Sequence, residues 1–132
     1  MSTFIDTSAF LAVLDAADQH HAAAAAAWQS ILDGDEPLVV TNYILVEVLA
    51  LVQHRLGLAA VHAFERDIAP LLEVVWIDTS AHAAGVAGVL AANRRHLSLV
   101  DCVSFDTLRA LGLETAFTFD GHFGERQFRC LP

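Results

Sequence analysis

The spacing of apolar residues along the chain predicts short strands that alternate with longer helices. Short apolar runs bounded by polar or turn residues predict strands at 3–6, 38–41, 73–77 and 115–119, with a fifth candidate in the tail sequence QFRCL. Apolar residues at helical spacing predict helices near 8–15, 18–33, 42–56, 58–72, 80–94 and 99–111. Pro70 is expected to kink or end the fourth of these helices, and Asp120–Gly121 predicts a turn.

The predicted strands are apolar throughout rather than alternately apolar and polar. This pattern is typical of parallel strands that are buried on both faces by helices. The sequence therefore predicts an α/β fold. We expect residues 1–132 to form a single domain, because the length suits one domain and no repeat or linker divides the chain.

The charge balance limits the classes of function that fit the sequence. Sixteen acidic residues outnumber seven basic ones, all of them arginine, and the net charge is −9. This balance argues against a sequence-independent nucleic-acid binder, which needs a basic surface. An acidic protein that holds metal ions, or one that binds a basic partner, stays open because bound cations then dominate the local field.

Location is predicted from what the sequence lacks. The start, MSTFIDTS, has no basic segment or apolar core of a secretory signal, and no apolar stretch reaches the roughly 18 residues of a membrane span. Cys102 and Cys130 fit two reduced thiols better than a disulfide framework or a zinc site. We expect a cytoplasmic protein with no membrane contact.

Glu47 is the most informative single residue in the sequence. Its neighbours at helical spacing are Tyr43, Ile44, Ala50 and Leu51, which are apolar or aromatic. An ionised carboxylate on a buried stripe needs a cation or an ion-pair partner, or else becomes protonated. No arginine lies at helical spacing from Glu47, so a metal ligand is the favoured interpretation.

Three aspartates have both a structural and a functional interpretation. Asp6 either caps a helix or lies in a site at the end of a parallel strand. Asp101 fits a capping box that begins at Ser98, or points inward beside Ser104. Asp120 either belongs to a turn or ends a strand as Asp6 does.

These three aspartates and Glu47 are all predicted at the edge of the sheet where strands end and helices begin. Clustered carboxylates repel one another unless a cation intervenes, and oxygen ligands suit Mg²⁺ or Mn²⁺. Such ions activate water for attack on a phosphodiester. By contrast, Asp78 is expected to cap a helix and Asp106 to face solvent or pair with Arg109.

Histidines and the compact basic run receive mainly structural interpretations. Most of the seven histidines are expected at or near the surface, with His122, beside Asp120, the candidate for contact with a substrate. The run Arg94-Arg95-His96 fits a helix C-terminus, which favours cations, and phosphate contact is the alternative.

Three blocks of sequence resemble PIN-domain nucleases, and most of all the VapC-type ribonuclease toxins of prokaryotic toxin–antitoxin pairs. The blocks are FIDTSAFLAVLD, TNYILVEVLALV and SLVDCVSFDTLRALGLETAFTFDGHF, in the order found in that family. The resemblance implies a three-layer α/β/α fold with a central, mainly parallel sheet of four to five strands. It also implies cleavage of RNA with Mg²⁺, or Mn²⁺ in its place, a homodimer, and inhibition by a cognate antitoxin.

Carried over by position, the resemblance assigns the catalytic metal ligands to Asp6, Glu47, Asp101 and Asp120. It gives supporting roles to Thr7 or Ser8, beside the first acid, and to Ser104, where the family has an acid or a hydroxyl. No further acid follows Asp120 directly, so one or two metal ions remain possible.

Two other classes of function compete with a nuclease. An Asp-based phosphohydrolase or phosphate switch on a similar sheet is disfavoured, because the chain has no lysine and Ser8 stands where a second acid is needed. A non-catalytic PIN-like interaction module is the other alternative, against which the four acids count.

Overall fold

The computed structural model of the protein describes residues 2–132, so Met1 lies outside the description. The strands are β1 (Thr3–Ile5), β2 (Leu38–Thr41), β3 (Leu72–Val75), β4 (Thr115–Phe117) and β5 (Arg129–Leu131). The α-helices are α1 (Thr7–Leu14), α2 (His21–Asp33), α3 (Asn42–Leu56), α4 (Leu58–Ala63), α5 (Thr79–Ala92), α6 (Leu99–Ala110) and α7 (Gly121–Glu125).

The five strands form one sheet in the order β3-β2-β1-β4-β5, and every neighbouring pair is parallel. Helix α1 packs on α2 and α3, and α5 packs on α6, so that helices flank the sheet in three layers. The predicted α/β/α fold with a mainly parallel sheet is confirmed. The tail strand, predicted only as a candidate, completes the fifth position as β5.

The strand order places a natural binding site beside β1. From β1 the chain adds β2 and then β3 on one side, and then returns to add β4 on the other side. Ligands of open α/β sheets bind at such a switch point, outside the carboxyl ends of the strands. Asp6 follows β1 directly, and Asp120 follows β4 after two residues.

The inner strands are buried, and their packing holds the carboxyl ends of the strands in place. Phe4, Ile5, Val40, Ala116 and Phe117 have no exposed surface. Burial of such apolar side chains contributes about 1.5–3 kcal/mol for each large one. The carboxyl ends of β1 and β4 are therefore held in a well-packed frame. Among residues 2–132, no helix is long and apolar enough to cross a bilayer.

Local signals explain most of the helix boundaries. The Thr41 side chain accepts a hydrogen bond from the backbone N–H of Ile44 and caps α3, and Gly57 ends that helix with φ of 88°. The Asp78 side chain accepts from the N–H of Ala81 and caps α5, as predicted. The backbone of α5 lies close to the side chains of α6, since a Cβ on Gly85 would lie 2.5 Å from Cγ2 of Val103.

Three predicted elements differ from the structure for identifiable reasons. The helix predicted at 58–72 is α4 followed by a π-helical turn (Phe64–Ile68) and a 3-10 turn (Ala69–Leu71), where Pro70 has no N–H to continue an α-helix. The helix predicted from residue 18 begins at His21, because the Asp18 side chain accepts from the N–H of His20 and forms a turn. The turn predicted at 120–121 is the start of α7, with Asp120 as its N-cap.

Candidate metal centre

Asp6 is buried at the end of the central strand, with 4% of its surface exposed. The Ser8 hydroxyl donates to its Oδ2 over 2.7 Å, and the Thr118 hydroxyl donates to the same oxygen over 3.0 Å. The N–H of Ser8 also points to Oδ2 at 3.4 Å, so Asp6 is the N-cap of α1 as well. These hydrogen bonds all end on Oδ2 and leave Oδ1 free of hydrogen bonds to residues 2–132.

The two hydroxyls also connect the ends of β1 and β4. Ser8 Oγ accepts the N–H of Phe119 over 2.9 Å, and Thr118 Oγ1 accepts the N–H of Asp120 over 2.9 Å. The carboxylate of Asp6 and the backbone of Asp120 are thereby held in one hydrogen-bonded network. Of the two hydroxyls expected beside Asp6, the structure places Ser8 in contact with it, whereas the buried Thr7 Oγ1 has no hydrogen-bond partner among residues 2–132.

Asp101 combines the two roles that were weighed for it. Its Oδ2 accepts the N–H of Ser98 over 3.0 Å, and Ser98 Oγ accepts the N–H of Asp101 over 3.1 Å, which completes a capping box. The residue is nevertheless buried, at 9% exposure. Ser104 is fully buried one turn later, and its hydroxyl donates to the Val100 carbonyl over 2.8 Å. That hydroxyl is occupied by its own helix, so nothing in its hydrogen bonding ties it to Asp101.

Asp120 and His122 complete the cluster from the start of α7. One ligand atom each from Asp101, Asp120 and His122 lie within 4.8 Å of one another. His122 Nδ1 lies 2.9 Å from Asp120 Oδ1 and 4.0 Å from Asp101 Oδ2. The Nδ1 atom is buried, yet its orientation is not that of a hydrogen bond, so it has no hydrogen-bond partner among residues 2–132.

Burial, together with the charges of neighbouring acids, raises the pKa of Asp6 and of Asp101. The pKa of Asp6 is raised from 3.8 to about 6, mainly by removal from water; hydrogen bonds from Ser8 and Thr118 oppose this rise, and the charges of Asp101 and Asp120 add to it. Burial likewise raises the pKa of Asp101, as does the charge of Asp120. Three acids that raise one another's energy when ionised, with an unpartnered buried nitrogen beside them, form a donor set that fits a cation.

Glu47 lies on α3, which begins at the end of β2 and therefore at the same edge of the sheet. Its side chain is half-buried rather than fully buried. Of its neighbours at helical spacing only Ile44 is buried, whereas Tyr43 and Leu51 are half-buried and Ala50 is exposed. Glu47 is thus less buried than expected, and its burial alone does not require a cation beside the carboxylate. No described hydrogen bond or ion pair engages its carboxylate, and Glu47 is not among the residues whose ligand atoms lie within 4.8 Å of one another.

A family model described as the PIN domain matches residues 3–128. The chain belongs to the PIN domain family. It is 31% identical over 127 residues to VapC20 of Mycobacterium tuberculosis, which is named a 23S rRNA-specific endonuclease, and the match covers 95% of this chain and 94% of VapC20.

Solved structures agree with this membership. The crystal structure of the M. tuberculosis VapC20 toxin, described as sarcin-ricin loop cleaving, superposes with a TM-score of 0.83 at 28% identity and covers 96% of this chain and 95% of that one. VapBC2 from Rickettsia felis, solved bound to a DNA fragment from its promoter, superposes with a TM-score of 0.70 at 10% identity and covers 98% and 97%. At that identity the second likeness shows the fold alone.

The remaining charged candidates of this PIN domain are exposed or have other partners. Asp78 caps α5, and Asp106 is exposed as expected. Arg109 lies over the ring of Phe128 instead of pairing with Asp106. In the basic run, the exposed Arg94 pairs with Glu125 over 2.8 Å.

The sequence alone did not indicate Thr118, and it indicated a different role for His122. Thr118 stands two residues before Asp120, but its hydrogen bond to Asp6 spans 112 residues of sequence, which no local pattern reveals. His122 was singled out for contact with a substrate, whereas the structure turns its ring toward two carboxylates. A hydroxyl two residues before the acid and a histidine two residues after it are visible in the sequence, although their contacts are not.

Proposed function

We propose that this protein is a metal-dependent endoribonuclease and the toxin of a VapBC-like type II toxin–antitoxin system, which hydrolyses RNA phosphodiester bonds. The observation that carries the proposal is the convergence of Asp6, Asp101 and Asp120 at the switch point of the sheet. The relationship to VapC20 supports it independently. A non-catalytic PIN-like module would have no need of three buried or half-buried acids that destabilise one another.

Each acid has a defined part in the proposed site. Ser8 and Thr118 hold Asp6 through Oδ2, so Oδ1 can face a cation. The capping box fixes the orientation of Asp101 through one hydrogen bond to Oδ2, and that oxygen keeps a lone pair for a cation. Asp120 is fixed at the start of α7, where its Oδ1 accepts the N–H of His122. Glu47 would be the fourth carboxylate, from α3.

Mg²⁺, or Mn²⁺ in its place, suits this carboxylate-rich donor set. When bound, such an ion lowers the pKa of a coordinated water and offsets the charge that builds up on the phosphate during attack. The carboxylates would position the ion and neutralise its charge. Because the protein carries a net charge of −9, these residues without a cation would repel an RNA backbone.

The first RNA to test is 23S rRNA, since a relative at 31% identity is named for it. Purified protein incubated with ribosomal RNA and Mn²⁺ should produce a discrete cut that primer extension locates. The same incubation with Asp6→Asn should leave the RNA intact. If the unmutated protein leaves the RNA intact with Mn²⁺ and also with Mg²⁺, ribonuclease activity on this substrate is contradicted.

The chemistry of the cut ends distinguishes two mechanisms. Water as the nucleophile leaves a 5′-phosphate and a 3′-hydroxyl, whereas attack by the ribose 2′-hydroxyl leaves a 2′,3′-cyclic phosphate. We expect the first pair of ends. Ligation of an adapter that requires a 5′-phosphate tests this directly, and ends that become ligatable only after kinase treatment would contradict it.

The proposed partner is an antitoxin that covers apolar surface on α2, α3 and α4. Leu32, Val46 and Leu58 on these helices are 38%, 68% and 62% exposed. Since the protein is strongly acidic, an arginine-bearing antitoxin segment could also reach the carboxylate cluster. A homodimer is proposed from the family resemblance, and sedimentation equilibrium of the isolated protein tests it.

We expect the product of an adjacent gene to co-elute with this protein on size exclusion. Leu58→Asp should weaken the complex by at least about tenfold in Kd, because it places a charge in the apolar contact. Leu90→Asp, at a 74% exposed position on α5, is the matched control that should leave the Kd unchanged. Failure of the unmutated pair to form a complex would remove the antitoxin assignment.

A further inference from the structure

We propose that His122 is itself a ligand of the cation, through Nδ1, and that it makes the site a mixed nitrogen–oxygen site with a preference for Mn²⁺ over Mg²⁺. The proposal rests on the metal site of the proposed function. It adds a residue that the acidic pattern does not contain, since that pattern consists of Asp6, Glu47, Asp101 and Asp120.

The spacing of the ligand atoms is that of an octahedral ion. Bonds of about 2.1 Å place neighbouring ligands about 3.0 Å apart and opposite ligands about 4.2 Å apart. His122 Nδ1 lies 2.9 Å from Asp120 Oδ1 and 4.0 Å from Asp101 Oδ2. The first distance matches a neighbouring pair, and the second lies just below the value for an opposite pair. All three ligand atoms lie within 4.8 Å of one another, a separation at which one ion can contact all three residues.

The orientation of Nδ1 favours a cation over a direct contact with Asp120. At 2.9 Å from a carboxylate oxygen, a buried ring nitrogen is expected to form a hydrogen bond, yet Nδ1 is not aligned for one. Lone pairs of two neighbouring ligands converge on a point beside the line that joins them. An Nδ1 atom that is close to Asp120 but not aligned with it is compatible with that arrangement.

The backbone at the start of α7 supports this placement. Asp120 caps the short helix by accepting the N–H of His122 over 2.9 Å, which fixes the backbone of the histidine against the acid. The His122 side chain is 18% exposed and lies within the site rather than on the outer surface. Its ring therefore has little freedom to serve a distant RNA contact.

A nitrogen donor changes which ion the site prefers. Carboxylate and water ligands serve Mg²⁺ and Mn²⁺ alike, whereas imidazole is a ligand for transition metals and a poor one for Mg²⁺. A site that combines carboxylates with one imidazole should therefore select Mn²⁺. Removal of the imidazole should weaken Mn²⁺ binding more than it weakens Mg²⁺ binding.

Pulsed electron paramagnetic resonance of bound Mn²⁺ tests the proposal without an activity assay. We expect the electron spin echo to show modulation from a directly coordinated ¹⁴N nucleus in the unmutated protein. Protein labelled with ¹⁵N-histidine should replace that modulation by the ¹⁵N pattern, which assigns it to a histidine without any mutation. His122→Ala should abolish it, and His96→Ala, at an exposed position, should retain it.

Calorimetric titration supplies the second readout. We expect His122→Ala to lower the ratio of Mn²⁺ to Mg²⁺ affinity by at least about tenfold, while His96→Ala leaves the ratio unchanged. Mn²⁺ that binds to the unmutated protein without nitrogen modulation would overturn the role of His122 alone. Absence of any Mn²⁺ binding would overturn the metal site of the proposed function, and this proposal with it.

Discussion

Asp6→Asn should abolish RNA cleavage and at the same time stabilise the metal-free protein. Loss of a buried charged ligand is expected to lower the cleavage rate by about two to four orders of magnitude. Ionisation of Asp6 is unfavourable in the fold, because burial raises its pKa from 3.8 to about 6. That difference corresponds to about 3 kcal/mol of destabilisation at neutral pH, which the neutral amide removes.

The pH dependence of stability gives this prediction its signature. Between pH 3.8 and about 6 the folded metal-free protein retains the Asp6 proton that the unfolded chain has already released. The free energy of unfolding should therefore fall as the pH rises through this range, and level off above it. Urea unfolding of Asp6→Asn should show a smaller fall over the same range.

Metal should reverse the order of the two proteins. Saturating Mn²⁺ should raise the melting temperature of the unmutated protein and leave that of Asp6→Asn nearly unchanged, because stabilisation depends on affinity. An Asp6→Asn protein that is less stable than the unmutated protein without metal at pH 7 would show that the carboxylate serves the fold and not a cation.

Glu47→Gln should lower cleavage by about two or more orders of magnitude with little change in metal-free stability. The carboxylate is half-buried and makes no described hydrogen bond or ion pair, so the fold loses nothing when it becomes an amide. Only a role toward the cation or the RNA would then account for lost activity. Single-turnover cleavage with Mn²⁺, together with urea unfolding, measures both quantities.

Two aspartates of the same chain serve as controls for Glu47→Gln. Asp78→Asn and Asp106→Asn also remove one negative charge each, but from a helix cap and an exposed position. They should retain cleavage within a few-fold of the unmutated rate. If Glu47→Gln is folded and as active as these controls, Glu47 is not part of the site.

Most strands and helices could be predicted, because nearby residues determine where these elements begin and end. Strand β2 and helix α3 occur at the predicted residues, since Thr41 starts the helix and Gly57 stops it. The segment after α4 could not be predicted in detail. Pro70 ends the α-helix there, but the π-helical turn at Phe64–Ile68 depends on burial of Phe64 and Ile68 in the core.

The sequence predicted at which edge of the sheet the site lies, but not which side chains contact one another there. Parallel strands end on one side, so Asp6 and Asp120 were expected near each other, and the structure places them there. The hydrogen bond from Thr118 to Asp6 and the position of His122 depend on tertiary packing. The exposure of Glu47 differed from expectation because helical neighbours do not reveal which of them is covered by other elements.

Removal and return of metal is the most direct test of a cation-dependent ribonuclease at this site. The unmutated protein and Asp101→Asn are first treated with EDTA, and then assayed on 23S rRNA with and without added Mn²⁺. We expect the unmutated protein to lose cleavage in EDTA and to regain it with Mn²⁺, while Asp101→Asn stays inactive in both conditions although it is folded. Undiminished cleavage in EDTA, or full recovery of Asp101→Asn, would contradict a metal centre built on these carboxylates.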